Sequence, residues 1–114
     1  DLKKRACAVI DAHRDELVAI GSDIFSHPEL GYKEFRTSEI VQKVFGKLGL
    51  RYQQGLAITG VKSRVTGRNS LANVCVIGEL DSVVCPGHPQ SYPLTGGAHS
   101  CGHNAQITML LGGA

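Results

Sequence analysis

The run Gly96-Gly97-Ala98-His99-Ser100-Cys101-Gly102-His103-Asn104 leads directly into the apolar stretch from Ile107 to Leu111. Its glycines permit a tight turn, and the apolar stretch predicts a helix. Whatever fold the chain adopts must therefore start that helix with a thiol and an imidazole, Cys101 and His103, held one glycine apart. Such a turn can aim both side chains at one point. Zinc accepts thiolate and imidazole donors, and manganese does so with carboxylate help. The free N–H groups and dipole of a helix start also stabilise negative charge, which suits a cysteine that binds metal or attacks a carbonyl.

The 114 residues allow one small domain. Twelve basic and ten acidic side chains leave a net charge of +2, too balanced for a nucleic-acid or anionic-membrane surface. The one basic cluster, Lys3-Lys4-Arg5, reads as a solvated first helical turn. No apolar run reaches the roughly 20 residues that span a bilayer. No signal peptide is visible, and the irregular spacing of Cys7, Cys75, Cys85 and Cys101 suits reduced thiols, so a cytoplasmic setting is expected. The chain does not begin with Met and stops at an apolar helix, which together suggest the N-terminal piece of a larger protein.

Apolar residues Leu2, Ala6, Val9, Ile10, Leu17, Ile20 and Ile24 recur at helical steps, with His13 on the same face, and predict one long amphipathic helix. His27-Pro28 ends it, because a residue before proline disfavours helix. A second helix is predicted from about Glu34 to Leu48, with Gly49 as its C-terminal cap. Short strands are predicted at Arg51 to Gln54 and Gly60 to Thr66, with a turn at Gly67-Arg68-Asn69-Ser70. Asn73 to Gly78 is almost wholly apolar and predicts an interior strand covered on both faces, with Cys75 as inert core. Glu79 and Asp81, at i and i+2, face one side of the strand's end, where α/β sheets place their chemistry. The alternative is a polar strand exit facing water. The proline-rich stretch from Val83 to Thr95 predicts an irregular excursion, with Cys85 and His88 as incidental donors.

Three ordered stretches resemble the metal-dependent aminoacylase/carboxypeptidase superfamily, in the amidohydrolase branch that includes indole-acetyl-amino-acid, hippurate and aminobenzoyl-glutamate hydrolases. His27-Pro28-Glu29-Leu30-Gly31-Tyr32-Lys33-Glu34 resembles a His-Pro-Glu-Leu-Gly-x-x-Glu signature. Gly78-Glu79-Leu80-Asp81-Ser82 resembles a strand end that reads Asp-Met-Asp-Ala or Glu-Tyr-Asp-Ala. Ala98-His99-Ser100-Cys101-Gly102-His103-Asn104 resembles a His-Ala-Cys-Gly-His-Asp/Asn motif. Asn104 replaces the commoner Asp, Gln106 stands where relatives often carry His, and the loop lacks a Leu-Pro.

The resemblance implies a zinc-exopeptidase-like α/β fold, with helices packed on a central mixed sheet that is incomplete in this chain. Residues 1–114 would form the N-terminal part of the catalytic domain, without the lid or dimerisation domain. Two divalent ions, zinc or manganese, are implied. Cys101 and His103 would be metal ligands, and Asp81 a catalytic carboxylate that orients a metal-bound group. His99, Glu79 and Asn104 would serve the substrate or support the ligands. The implied reaction is hydrolysis of an N-acyl amino acid or small peptide by a homo-oligomeric parent. The isolated chain is expected to be inactive, because further ligands and the base lie downstream in the family. Its unpaired sheet edges predict association.

Other readings of the residues are a structural zinc module built from Cys75, Cys85, Cys101 and His103, a Cys101 nucleophile paired with His99 or His103, and a remnant that keeps the fold without the chemistry.

Overall fold

A computed structural model describes residues 1–69 and 71–114. Four helices and two small antiparallel sheets follow in the order α1 (Leu2–Ala12), α2 (Arg14–Ser26), α3 (Phe35–Lys47), β1 (Tyr52–Leu56), β2 (Gly60–Ser63), β3 (Val83–Val84), β4 (Gly97–Ala98) and α4 (His103–Gly112). The content is mixed α and β. No central mixed sheet forms among the described residues, because β1 pairs only with β2 and β3 only with β4.

The single long N-terminal helix is interrupted at His13, whose φ of −102° and ψ of 11° separate α1 from α2. Asp1 caps α1 by accepting from the Lys3 N–H, but α1 buries none of its side chains. Without packing, only local hydrogen bonds hold it, and those do not keep it in line with α2. His13 is exposed and meets Glu16 at 3.5 Å.

The apolar faces of α2, α3 and α4 converge on Ile24, Val41, Phe45, Ile107 and Leu111, with Leu17, Ile20 and Leu80 packed around them. At the α2–α4 contact, a Cβ on Gly21 would lie 2.6 Å from Thr108 Oγ1, so only glycine allows this approach. Helix α3 ends in a Schellman motif. Gly49, at φ +70°, donates to the Gly46 carbonyl, and Leu50 reaches back to that of Phe45. The apolar spacing from Phe35 onward and Gly49 thus fix both the helix and its stop.

The stretch from Asn73 to Gly78 is the main departure from the sequence expectation. It forms no strand, and its side chains from Leu71 to Ile77 face solvent, Cys75 included. An apolar strand needs a paired neighbour and covered faces, and the described residues supply neither. Only Gly78 is packed closely, where a Cβ would meet Ile107 Cδ1 at 2.9 Å. The predicted turn at Gly67 to Ser70 falls partly outside the described residues, since Ser70 is not among them.

The excursion after Val83 is better built than its prolines suggest. The β3–β4 pair closes its base, with Val83 opposite Ala98 and Val84 opposite Gly97. The Cys85 N–H then donates to Gly96, Tyr92 to Gly97, and Gly96 to Tyr92. Among the described residues, no helix is long and apolar enough to cross a membrane.

Candidate functional site

The site is assembled where three segments meet: the corner at Glu29, the extended segment from Glu79 to Ser82, and the turn into α4. Glu29 anchors the corner. Its carboxylate accepts from the Arg36 and Thr37 N–H groups at 2.9 and 2.8 Å and from Thr37 Oγ1 at 2.8 Å. This satisfies free donors at the start of α3 and places negative charge where the helix dipole favours it. The Glu29 carbonyl in turn accepts from both the N–H and the hydroxyl of Ser82. Leu30 and Ser82 form a parallel bridge. Asp81 is thereby fixed one residue before a buried anchor.

On the other side, Gly102 adopts φ +87°, a left-handed conformation that favours glycine, and caps the start of α4. The helix then begins at His103, whose side chain is almost fully buried. Its Nδ1 lies 2.7 Å from the Asp81 carbonyl and 3.0 Å from Asp81 Oδ1. A carbonyl can only accept, so Nδ1 carries the proton. Its Nε2 lies 3.0 Å from Glu79 Oε2. Glu79 and Asp81 therefore reach opposite nitrogens of one imidazole. With Nδ1 protonated, a neutral ring would set its Nε2 lone pair against a carboxylate oxygen. A proton or a metal ion between the two atoms makes that contact favourable.

Gln106, one turn along α4, clamps Glu79. It accepts from the Glu79 N–H and donates to Oε2, both at 3.3 Å. Asn104 faces elsewhere, donating to the Gly21 carbonyl at 3.3 Å, and ties the start of α4 to α2. Cys101 is exposed on the turn.

His99 is buried, and neither ring nitrogen has a hydrogen-bond partner among the described residues. Burial pushes its pKa below the ordinary histidine value, and the neighbouring His103 adds to that. Asp81, Glu29 and the Ile24 backbone pull the other way, the last without hydrogen-bond geometry. The imidazole is thus held neutral.

The structure brings Asp81, Glu79 and His103 together and leaves Cys101 outside that contact. Glu29, Ser82 and Gln106 complete the support. In the sequence Glu29 stands only as part of the His-Pro-Glu-Leu-Gly signature and Gln106 only as a replaced histidine. Ser82, next to Asp81, carried no signal of its own. Among the described residues, no three His, Cys, Asp or Glu side chains converge to hold a metal ion, so the four-ligand zinc module is not formed. The donor chemistry does suit one side of a metal centre. A metal-bound histidine commonly donates its other N–H to a carbonyl or carboxylate, as Nδ1 of His103 does here. Nε2 and Glu79 Oε2, 3.0 Å apart, are an imidazole nitrogen and a carboxylate oxygen, donors that zinc and manganese both accept.

Neither a family profile nor a solved structure matches the chain. Curated relatives do. IAA-amino acid hydrolase ILR1-like 4 of Arabidopsis thaliana is 36% identical over 105 residues, covering 88% of this chain and 23% of the relative. Thermostable carboxypeptidase 1 of Saccharolobus solfataricus is 31% identical over 104 residues, covering 88% of this chain and 26% of the relative. N-acetyldiaminopimelate deacetylase of Bacillus pumilus is 29% identical over 104 residues, covering 88% of this chain and 28% of the relative. The chain thus spans about a quarter of the length of the curated relatives it matches. The three motifs in order, and relatives named for cleaving amide bonds on both sides of that resemblance, lead to one assignment: the chain belongs to the aminoacylase/carboxypeptidase superfamily, in the amidohydrolase branch.

Proposed function

We propose that these residues form one side of the metal centre of an amide hydrolase that cleaves an acyl group from an amino acid or small peptide. The observation that carries the reading is the His103 imidazole, with Nδ1 engaged by Asp81 and Nε2 facing Glu79 at 3.0 Å. The names of the relatives, an IAA-amino acid hydrolase and an N-acetyldiaminopimelate deacetylase among them, support an N-acyl amino acid as the substrate class.

In this reading His103 and Glu79 would hold divalent metal, zinc or manganese, with Cys101 joining from the exposed turn and two ions in the complete centre. When bound, the metal supplies polarisation of the amide carbonyl and acidity for a water molecule. Asp81 holds the proton on His103 Nδ1, which keeps Nε2 available as a donor. Gln106 fixes the Glu79 carboxylate. His99 stays neutral beside the cationic centre and adds no repulsion. Asn104 contributes no charge; it locks the turn to α2. Residues 1–114 are read as the N-terminal part of the catalytic domain, with the lid or dimerisation domain elsewhere. The remaining ligands and the base are likewise expected from other parts of the parent, so these 114 residues alone are inactive.

The test is hydrolysis of a panel of N-acyl amino acids by the longer parent protein, supplied with zinc or manganese. The expected result is metal-dependent turnover that falls by about 100-fold or more in His103→Ala and in Asp81→Asn. Turnover that survives both substitutions, or complete chelation, would overturn the proposal. The isolated chain is expected to show none.

A further inference from the structure

We infer that Gln106 is a positioning residue that presents Glu79 to metal through one oxygen and so tilts the centre toward zinc over manganese. The inference rests on the hydrolase reading above and deepens it, since that reading leaves the ion open. Gln106 lies on α4 one turn after His103 and is half-buried. Its amide meets residue 79 twice. Oε1 accepts from the backbone N–H and Nε2 donates to Oε2, each at 3.3 Å. A backbone N–H can only donate, so it fixes which end of the amide is which. The NH2 end therefore faces the carboxylate, as a donor and not as a metal ligand.

The backbone contact holds residue 79 beside α4, and the side-chain contact holds its carboxylate. Oε2 takes the Gln106 hydrogen bond and also faces His103 Nε2, 3.0 Å away. Turning the carboxylate so that both oxygens meet one ion would break the Gln106 contact. The Glu79 side chain is 56% exposed, so packing restrains it little and the amide supplies the restraint. Zinc takes four ligands in a tetrahedron, which a carboxylate giving one oxygen suits. Manganese suits six oxygen-rich positions, which a carboxylate giving two oxygens helps to fill. The clamp also adds no charge. Gln106 is neutral, and so is Asn104, which is turned to the Gly21 carbonyl. Neither side chain supplies the extra carboxylate that would favour the harder ion.

Competition titration of the metal-free parent protein with zinc and manganese tests it, in wild type, Gln106→Leu and Gln106→Glu. Zinc binds most nitrogen and oxygen sites more tightly than manganese, so the change in the ratio of the two Kd values is what reports Gln106. In Gln106→Leu the zinc Kd should rise by about tenfold or more and the manganese Kd by less, so that the preference for zinc falls. Gln106→Glu keeps the size and polarity of the side chain but loses the amide donor and adds an oxygen. It should lower the preference as well, and it carries the test if leucine disturbs α4. A role in stability alone would weaken both ions in equal proportion, so the ratio separates positioning from folding. A wild-type protein that binds metal, with the same ratio or a stronger zinc preference in both variants, would overturn the inference and leave the hydrolase reading standing. A wild-type protein that binds neither ion would overturn that reading, and the inference with it.

Discussion

The Glu29 carbonyl accepts two hydrogen bonds from Ser82, from its N–H at 2.7 Å and its hydroxyl at 2.8 Å, across 53 positions of sequence. Through this contact the corner between α2 and α3 sets the position of Asp81. Ser82 is buried, so removing its hydroxyl leaves no water to replace it. Ser82→Ala is expected to cost about 1 kcal/mol, the net worth of one such bond. Urea unfolding checks this, and a change within experimental error would show that the N–H contact suffices alone.

Gly21→Ala tests the helix crossing that carries the core. Alanine favours helix over glycine by about 1 kcal/mol. Its Cβ, however, would meet Thr108 Oγ1 at 2.6 Å. Overpacking of this kind costs about 1–3 kcal/mol and should prevail. Gly21→Ala is therefore expected to lower stability, and Thr108→Ala in the same chain should restore much of it. A double-mutant thermal cycle reads the coupling. Additive effects would show that α2 and α4 are not packed as described.

The pH dependence follows from His99. Its pKa is lowered in the folded state, chiefly by burial, from an unfolded value near 6.5. The unfolded chain therefore binds the proton more readily. The stability that comes from keeping this ring neutral is fully present above that value and is lost as pH falls through the lower folded value. In metal-free chain, unfolding free energy is expected to decline from pH 7.5 toward pH 5, and His99→Leu should flatten the decline. An unchanged slope in His99→Leu would assign the effect to other groups.

Much of this architecture was legible in the sequence, for local reasons. The 3.6-residue spacing from Phe35 to Lys47 and Gly49 after it specify α3 and its Schellman stop without tertiary help. The glycine turn and apolar run likewise specify α4. The break at His13 was not legible, because the apolar period continues through it and only the absence of packing on α1 separates the helices. The apolar run from Asn73 to Gly78 misled in the opposite sense. Its composition suits an interior strand, but burial depends on neighbours that composition does not encode. At the site, the spacing of Glu79 and Asp81 placed both carboxylates on one segment. That they grip opposite nitrogens of His103 depends on the Glu29–Ser82 anchor, which joins residues 53 apart and has no local pattern.

The most direct test of the central claim is calorimetric titration of the metal-free parent protein with zinc and with manganese at pH 7.5, in wild type and in His103→Ala. The account gives saturable binding of at least one of the two ions, with proton release. That binding should be lost in His103→Ala and weakened in Glu79→Gln and Cys101→Ser. Binding of equal strength in His103→Ala, or none to the wild-type parent at millimolar metal, would contradict the assignment of His103 as a metal ligand.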